Sequence, residues 1–114
     1  MTLDSFLDKL SSHPESIEFS DTISVIEANY HFIETAFING EQKNAAGENS
    51  GSCKIFAFAK LNNLSQQMTL ACFGRYYRED VLAHPTGKDH QNIRQFMKNG
   101  WDGIQFSSVA LSVQ

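Results

Sequence analysis

The sequence predicts a mainly α fold of about five helices, with room for one small two-stranded β element beside them. Three observations carry that expectation. Leu3, Phe6, Leu7 and Leu10 fall at i, i+3, i+4 and i+7, the spacing of one helix face. The segment 53–62, Cys-Lys-Ile-Phe-Ala-Phe-Ala-Lys-Leu-Asn, is apolar almost all round, the pattern of a helix enclosed by others. Pro14, Pro85 with Gly87, and Gly100 then fall where three of those helices would end.

The first helix covers 3–11, with Thr2 as its N-cap, Asp4 at the positive end of its dipole and Pro14 as its stop. A second is expected over 21–30, capped by Ser20 or Asp21, with Ile23, Ile26 and Tyr30 on one stripe. Residues 32–38 are rich in β-branched and aromatic types and end at the turn dipeptide Asn39-Gly40, which suits an extended segment. The polar stretch 39–51 reads as a long surface loop. Ser52 is the expected cap of the third, central helix. Ser65 opens a longer fourth helix reaching about residue 83, with Leu70, Phe73, Tyr77 and Val81 inward and Arg75, Arg78 and Glu79 outward. Asp89 caps a fifth helix over 90–99, with Ile93, Phe96 and Met97 inward. Gly100 suits a left-handed C-terminal cap that folds Trp101 back. The alternating tail 103–106 is a short strand able to pair with 32–38.

Composition narrows the class. With 114 residues, 41% hydrophobic content and nine Phe, the chain has material for one core, so residues 1–114 are expected to form a single soluble domain. No apolar run is long enough to span a membrane. Met1-Thr2-Leu3-Asp4-Ser5-Phe6 lacks the basic start of a Sec signal peptide. Two cysteines, Cys53 and Cys72, are too few for a disulfide framework, and both lie in apolar stretches, so reduced and buried thiols are expected. The net charge of -4 divides unevenly: residues 1–42 hold eight acids and one base, residues 43–114 eight bases and five acids. Lys54, Lys60, Arg75, Arg78, Lys88, Arg94 and Lys98 are the material for a basic patch, or simply for solvated helix faces. The overall acidity argues against a nucleic-acid partner.

No motif names a reaction. Gly47-Glu-Asn-Ser-Gly51-Ser-Cys-Lys54 is a glycine-containing loop entering a helix, where backbone N–H groups can hold an anion. It is not a Walker A loop, because Lys54 lies three residues past Gly51. Cys53, at the start of that helix, is a weak candidate nucleophile, with His90 or His84 as base and Asp89 as orienting acid. Packing for Cys53, a helix cap for Asp89 and a first-turn place for His90 explain the same residues more simply. The four histidines form no H-x-x-x-H and the cysteines no C-x-x-C, so neither a metal nor a cofactor is expected. Arg75-Tyr76-Tyr77-Arg78 mixes the cations and aromatics enriched at binding hot spots, although snorkelling stems on a helix face give the same pattern.

Gly51-Ser-Cys-Lys-Ile-Phe-Ala-Phe-Ala-Lys60, Thr69-Leu-Ala-Cys-Phe-Gly-Arg-Tyr-Tyr-Arg78 and Asp89-His-Gln-Asn-Ile-Arg-Gln-Phe-Met-Lys-Asn-Gly-Trp101 resemble the HopJ type III effector family, and Ala36-Phe37-Ile38-Asn39-Gly40 fits it too. The likeness runs over about residues 3–111. Where the family often carries a proline before its Thr-Ala-Phe phrase, this chain has Glu34. The resemblance implies a bacterial protein, acting in the bacterial cytoplasm or delivered by a type III system into a host cell. It implies no enzyme activity and brings no catalytic residues. The residues favour a module that binds a host or bacterial protein, or a small anion, through a face near Gly51, Ser52, Arg75, Tyr76, Arg78 and His90. The alternative is a small enzyme using Cys53 or His90. Nothing in the sequence sets the oligomeric state.

Overall fold

The computed structural model describes residues 1–114. Helix α1 spans Leu3–Ser12, and Thr2 Oγ1 accepts from the Ser5 N–H at 3.1 Å, as its capping position predicts. Phe6 and Leu10 bury its inner face. Pro14–Ser16 make one 3-10 turn, and α2 follows at Phe19–Asn29. Its N-cap is Glu18, earlier than expected. Asp21 acts from the third helical position, where its Oδ2 accepts the Glu18 N–H at 3.1 Å.

Five short strands form two antiparallel sheets, not the single two-stranded element the sequence suggested. Strands β1 (Tyr30–Phe32) and β5 (Leu111–Val113) pair with Tyr30 opposite Val113. Strand β2 (Phe37–Asn39) lies between β3 (Gln42–Asn44) and β4 (Ile104–Phe106), with Phe37 opposite both Asn44 and Phe106. The expected pairing of the tail with 32–38 is therefore present at its C-terminal end. The expected loop 39–51 is instead half hairpin.

Helix α3, Ser50–Leu61, is the central helix, with Cys53 and residues 55–59 all buried. Its cap is Asn49, in the left-handed region at φ 51°, and not Ser52. Phe56 sits at the middle of the core, its ring centroid 5.0 Å from Phe96, 5.5 Å from Phe73, 6.1 Å from Phe37 and 6.4 Å from Trp101.

The long fourth helix is not continuous. Helix α4 covers Gln66–Ala71, with Ser65 Oγ accepting from the Met68 N–H. The chain then breaks at Gly74, whose φ is +61° and whose missing Cβ would lie 2.6 Å from the Phe19 nitrogen. No other residue allows that backbone approach. Beyond the break, Tyr76–Val81 form a π-helical turn. Helix α5 is Gln91–Asn99, capped by His90 at φ 50° rather than by Asp89. Ile93 and Phe96 are buried as expected, but Met97 is 38% exposed, because the core ends against Trp101, which packs edge-on to Phe96 at 5.1 Å. Gly100 takes φ +60° with ψ -151°, a conformation open to glycine but not the left-handed cap its position suggests, and the chain turns there to fold Trp101 back. No helix is long and apolar enough to cross a membrane.

Candidate functional site

Two helices start at one place. The first turns of α3 and α5 meet beside the π-helical turn and enclose a cleft of about 420 Å³. A buried asparagine network brings them together. Asn39 Nδ2 donates to the Asn92 carbonyl oxygen at 2.7 Å, and Asn92 Nδ2 donates to Asn44 Oδ1 at 3.0 Å. Asn49 Nδ2 donates to the same Asn44 Oδ1 at 2.7 Å. Asn39, Asn44 and Asn92 are 0%, 3% and 6% exposed. At that burial a lost partner leaves a desolvated polar group, at a cost of about 1–3 kcal/mol. The network thereby ties the β2–β3 hairpin to the cap of α3 and to the first turn of α5.

Both cap residues, Asn49 and His90, are left-handed, and neither side chain caps its own helix. The N–H groups of Gly51, Ser52, Gln91 and Asn92 consequently have no protein acceptor. All four residues line the cleft. Lys88 lines it as well, and no carboxylate does. Helix N-termini carry partial positive charge, so uncapped amides beside a lysine present a positive hollow on a chain whose net charge is -4.

His90 stands at the edge of this hollow. Its Nε2 lies 3.0 Å from Asp80 Oδ2 and 3.9 Å from Asp89 Oδ2. Asp80, as a carboxylate, can only accept, so Nε2 holds the proton and Nδ1 keeps its lone pair in the neutral ring. The ring packs against Tyr76 at 5.1 Å, and Tyr76 meets Phe19 edge-on, also at 5.1 Å. The π-helical turn puts Tyr76 and Asp80 on the same side, facing His90. Turns of this kind recur at functional sites.

Of the residues expected from sequence, Gly51, Ser52, Tyr76 and His90 share the cleft. Arg75 and Arg78 do not line it. Arg75 Nε lies 3.1 Å from Glu18 Oε2, while Arg78 Nη1 donates to the Ile17 carbonyl oxygen at 2.7 Å and Nη2 contacts Glu18. Arg78 was expected to face outward, yet its side chain is only 24% exposed, because the break at Gly74 rotates it onto the turn before α2. Asp89 points away from the cleft toward Arg94, whose Nη2 donates to its Oδ1 at 2.6 Å. That bond holds the Asp89 carboxyl below the usual carboxylate range. The His84 carbonyl oxygen accepts from Arg94 Nη1, and no group of three or more His, Cys, Asp or Glu is arranged to hold a metal ion.

Cys53 does not line the cleft. It is 1% exposed, and its Sγ–H donates to the Thr35 carbonyl oxygen at 3.6 Å. Burial pushes its pKa up to about 11, against the lowering that a helix start would bring. The basic patch also disperses. Lys54 sits over Phe32, Lys60 over Phe106, and Arg94 on Asp89, leaving Lys88 at the cleft. Lys88, Asn49, Gln91 and Asn92 carry no local sequence signal. Only the pairing of 37–44 with the start of α5 assembles them.

A family model described as HopJ type III effector protein matches residues 3–111. The crystal structure of the unknown function protein VPA0580 is similar, at 60% identity and a TM-score of 0.98, covering 100% of this chain and 95% of that one. No curated protein matches the chain.

Proposed function

The chain belongs to the HopJ type III effector family, and from that membership we propose that it is an effector-like binding protein whose cleft between α3 and α5 holds a small oxyanion. The single observation that carries the proposal is the lining of the cleft: amides of two helix starts and Lys88 with no opposing carboxylate. In a chain of net charge -4, such a lining attracts anions locally where the molecule as a whole repels them. Delivery into a host cell belongs to the same proposal and rests on the family description alone.

Thiol catalysis by Cys53 draws no support from the geometry, because the sulfur is buried and remains protonated at neutral pH. His90 spends the one N–H of its neutral ring on Asp80, so it is kept as a wall of the cleft and not as a donor to the anion.

The test is a titration of the ¹⁵N-labelled protein with inorganic phosphate, followed through its amide resonances. Saturable shifts are expected at Gly51, Ser52, Gln91 and Asn92. Lys88→Ala should weaken binding by roughly fivefold, the worth of about 1 kcal/mol for one exposed charge. Amides at these four positions that stay still at saturating phosphate would end the proposal.

A further inference from the structure

We infer that the oxyanion bound in this cleft is carried on a flat, unsaturated ring, as in an aryl phosphate. The inference rests on the anion-binding reading above and specifies its ligand.

The first support is size. A volume of about 420 Å³ corresponds to about 14 waters at roughly 30 Å³ each. It falls in the range of small-molecule sites, which begins at about 300 Å³. A bare phosphate against the amides would leave most of that space filled with water.

The second support is the wall. Phe19, Tyr76 and His90 form a row of rings with successive centroids 5.1 Å apart, inclined at 67° and 32°. All three line the cleft that Lys88 and the free amides share. The row is built rigidly. Phe19 settles over Gly51, where a Cβ would come within 2.8 Å of its Cζ. His90 is pinned from behind by Asp80 at 3.0 Å. Tyr76, in the middle, is 42% exposed although its two neighbours hold it in place. An aromatic side chain that is fixed yet uncovered offers a surface to a second ring at little further entropy cost. Offset and edge contacts with such a row favour a planar ligand over an alkyl chain of equal size.

The third support is their adjacency. The His90 ring ends the row, and His90 is also the cap from which the amides of α5 begin. A ring lying on Tyr76 therefore directs a directly attached anionic group toward Gln91, Asn92 and Lys88.

The experiment compares dissociation constants for methyl phosphate and phenyl phosphate, measured by amide titration on the full chain and on Tyr76→Ala and Tyr76→Phe. Phenyl phosphate should bind about tenfold more tightly, equivalent to about 1.4 kcal/mol. Tyr76→Phe should keep that preference. Tyr76→Ala, which removes the ring from between Phe19 and His90, should erase it, so that phenyl phosphate binds that variant no more tightly than methyl phosphate does. Adenosine monophosphate and a pentapeptide centred on phosphotyrosine are titrated alongside. The phosphotyrosine peptide should bind more tightly than methyl phosphate and than adenosine monophosphate, whose phosphate is borne by a sugar, and the reverse order would overturn the inference. Equal binding of methyl and phenyl phosphate would overturn it while leaving the anion reading intact. A tenfold preference that survives Tyr76→Ala would also overturn it. Failure of every phosphate to bind would instead remove the anion reading on which it rests.

Discussion

At His90 the backbone and the side chain are held by different partners. Its φ of 50° and ψ of 49° lie in a region that costs a non-glycine residue about 1–3 kcal/mol. Arg94 offsets that cost by gripping the preceding turn, donating from Nε to the Asp89 carbonyl oxygen at 2.6 Å and from Nη1 to that of His84 at 2.9 Å. Cys53 and Cys72 are simpler, and their burial was legible from their apolar neighbours. Burial raises Cys72 to about 12 and Cys53 to about 11 from an ordinary value of 9.0. Below pH 9 the folded and unfolded chains both keep these protons. Between 9 and about 11 only the folded chain does, so stability should fall as pH rises through that window. Iodoacetamide at pH 8 should therefore leave both thiols unmodified in the native protein and alkylate both in guanidinium. Native labelling of Cys53 followed by mass spectrometry would contradict its placement. Lys88, by contrast, sits in a polar run whose residue types say nothing about a cleft, and its neighbours there come from 42 to 52 and 73 to 76.

Among the elements, the helices were legible wherever packing and local signals agree. In α1 the stripe Leu3, Phe6, Leu7, Leu10 and the Thr2 cap point to the same boundaries, and the structure has them within one residue. The fourth helix shows the opposite. Leu70, Phe73 and Val81 keep a continuous apolar stripe, yet the helix breaks at Gly74 because the start of α2 passes 2.6 Å from the position of a Cβ there. Gly74→Ala combines that clash with a φ of +61° and should destabilise the protein by at least about 2 kcal/mol, read as a lower urea midpoint at unchanged m-value. The same variant should disturb the amides of Arg78 and Asp80, which the break orients. A midpoint within error of wild type would show that the close approach to Phe19 is not real. The helix caps were misplaced for a related reason. Ser52 and Asp89 are good cap residues by type, but Asn49, bonded to Asn44, takes the left-handed cap position of α3, and His90, two residues before the Asn92 of the same network, takes that of α5. Strand β3, Gln42–Asn44, has no apolar residue and is defined by its hydrogen bonds to β2 alone.

At the scale of the whole molecule, one core joins α3, α5 and both sheets, Phe56 meeting Phe37 and Phe96 while Phe58 meets Tyr30. Phe56 is 0% exposed and touches rings from four other segments, so Phe56→Ala should cost about 3–5 kcal/mol, measured by urea denaturation. A loss under about 1 kcal/mol would mean that the core closes over the gap and that Phe56 is not its centre. Residues 55–59 carry this role in their composition, since a segment apolar on every side has no stable place except inside. The sequence by itself therefore determined the helical class, the buried central helix, the inert thiols and the family likeness, because each follows from hydrophobic pattern, local caps or residue order. Only the tertiary structure decided the two sheets, the break at Gly74 and the cleft. Three-residue strands are too short to show a period, and a backbone approach between Gly74 and Phe19 has no counterpart in local spacing. The cleft joins residues from 19 to 93 whose individual preferences are satisfied in many other arrangements, so its chemistry exists only once the core has set their positions.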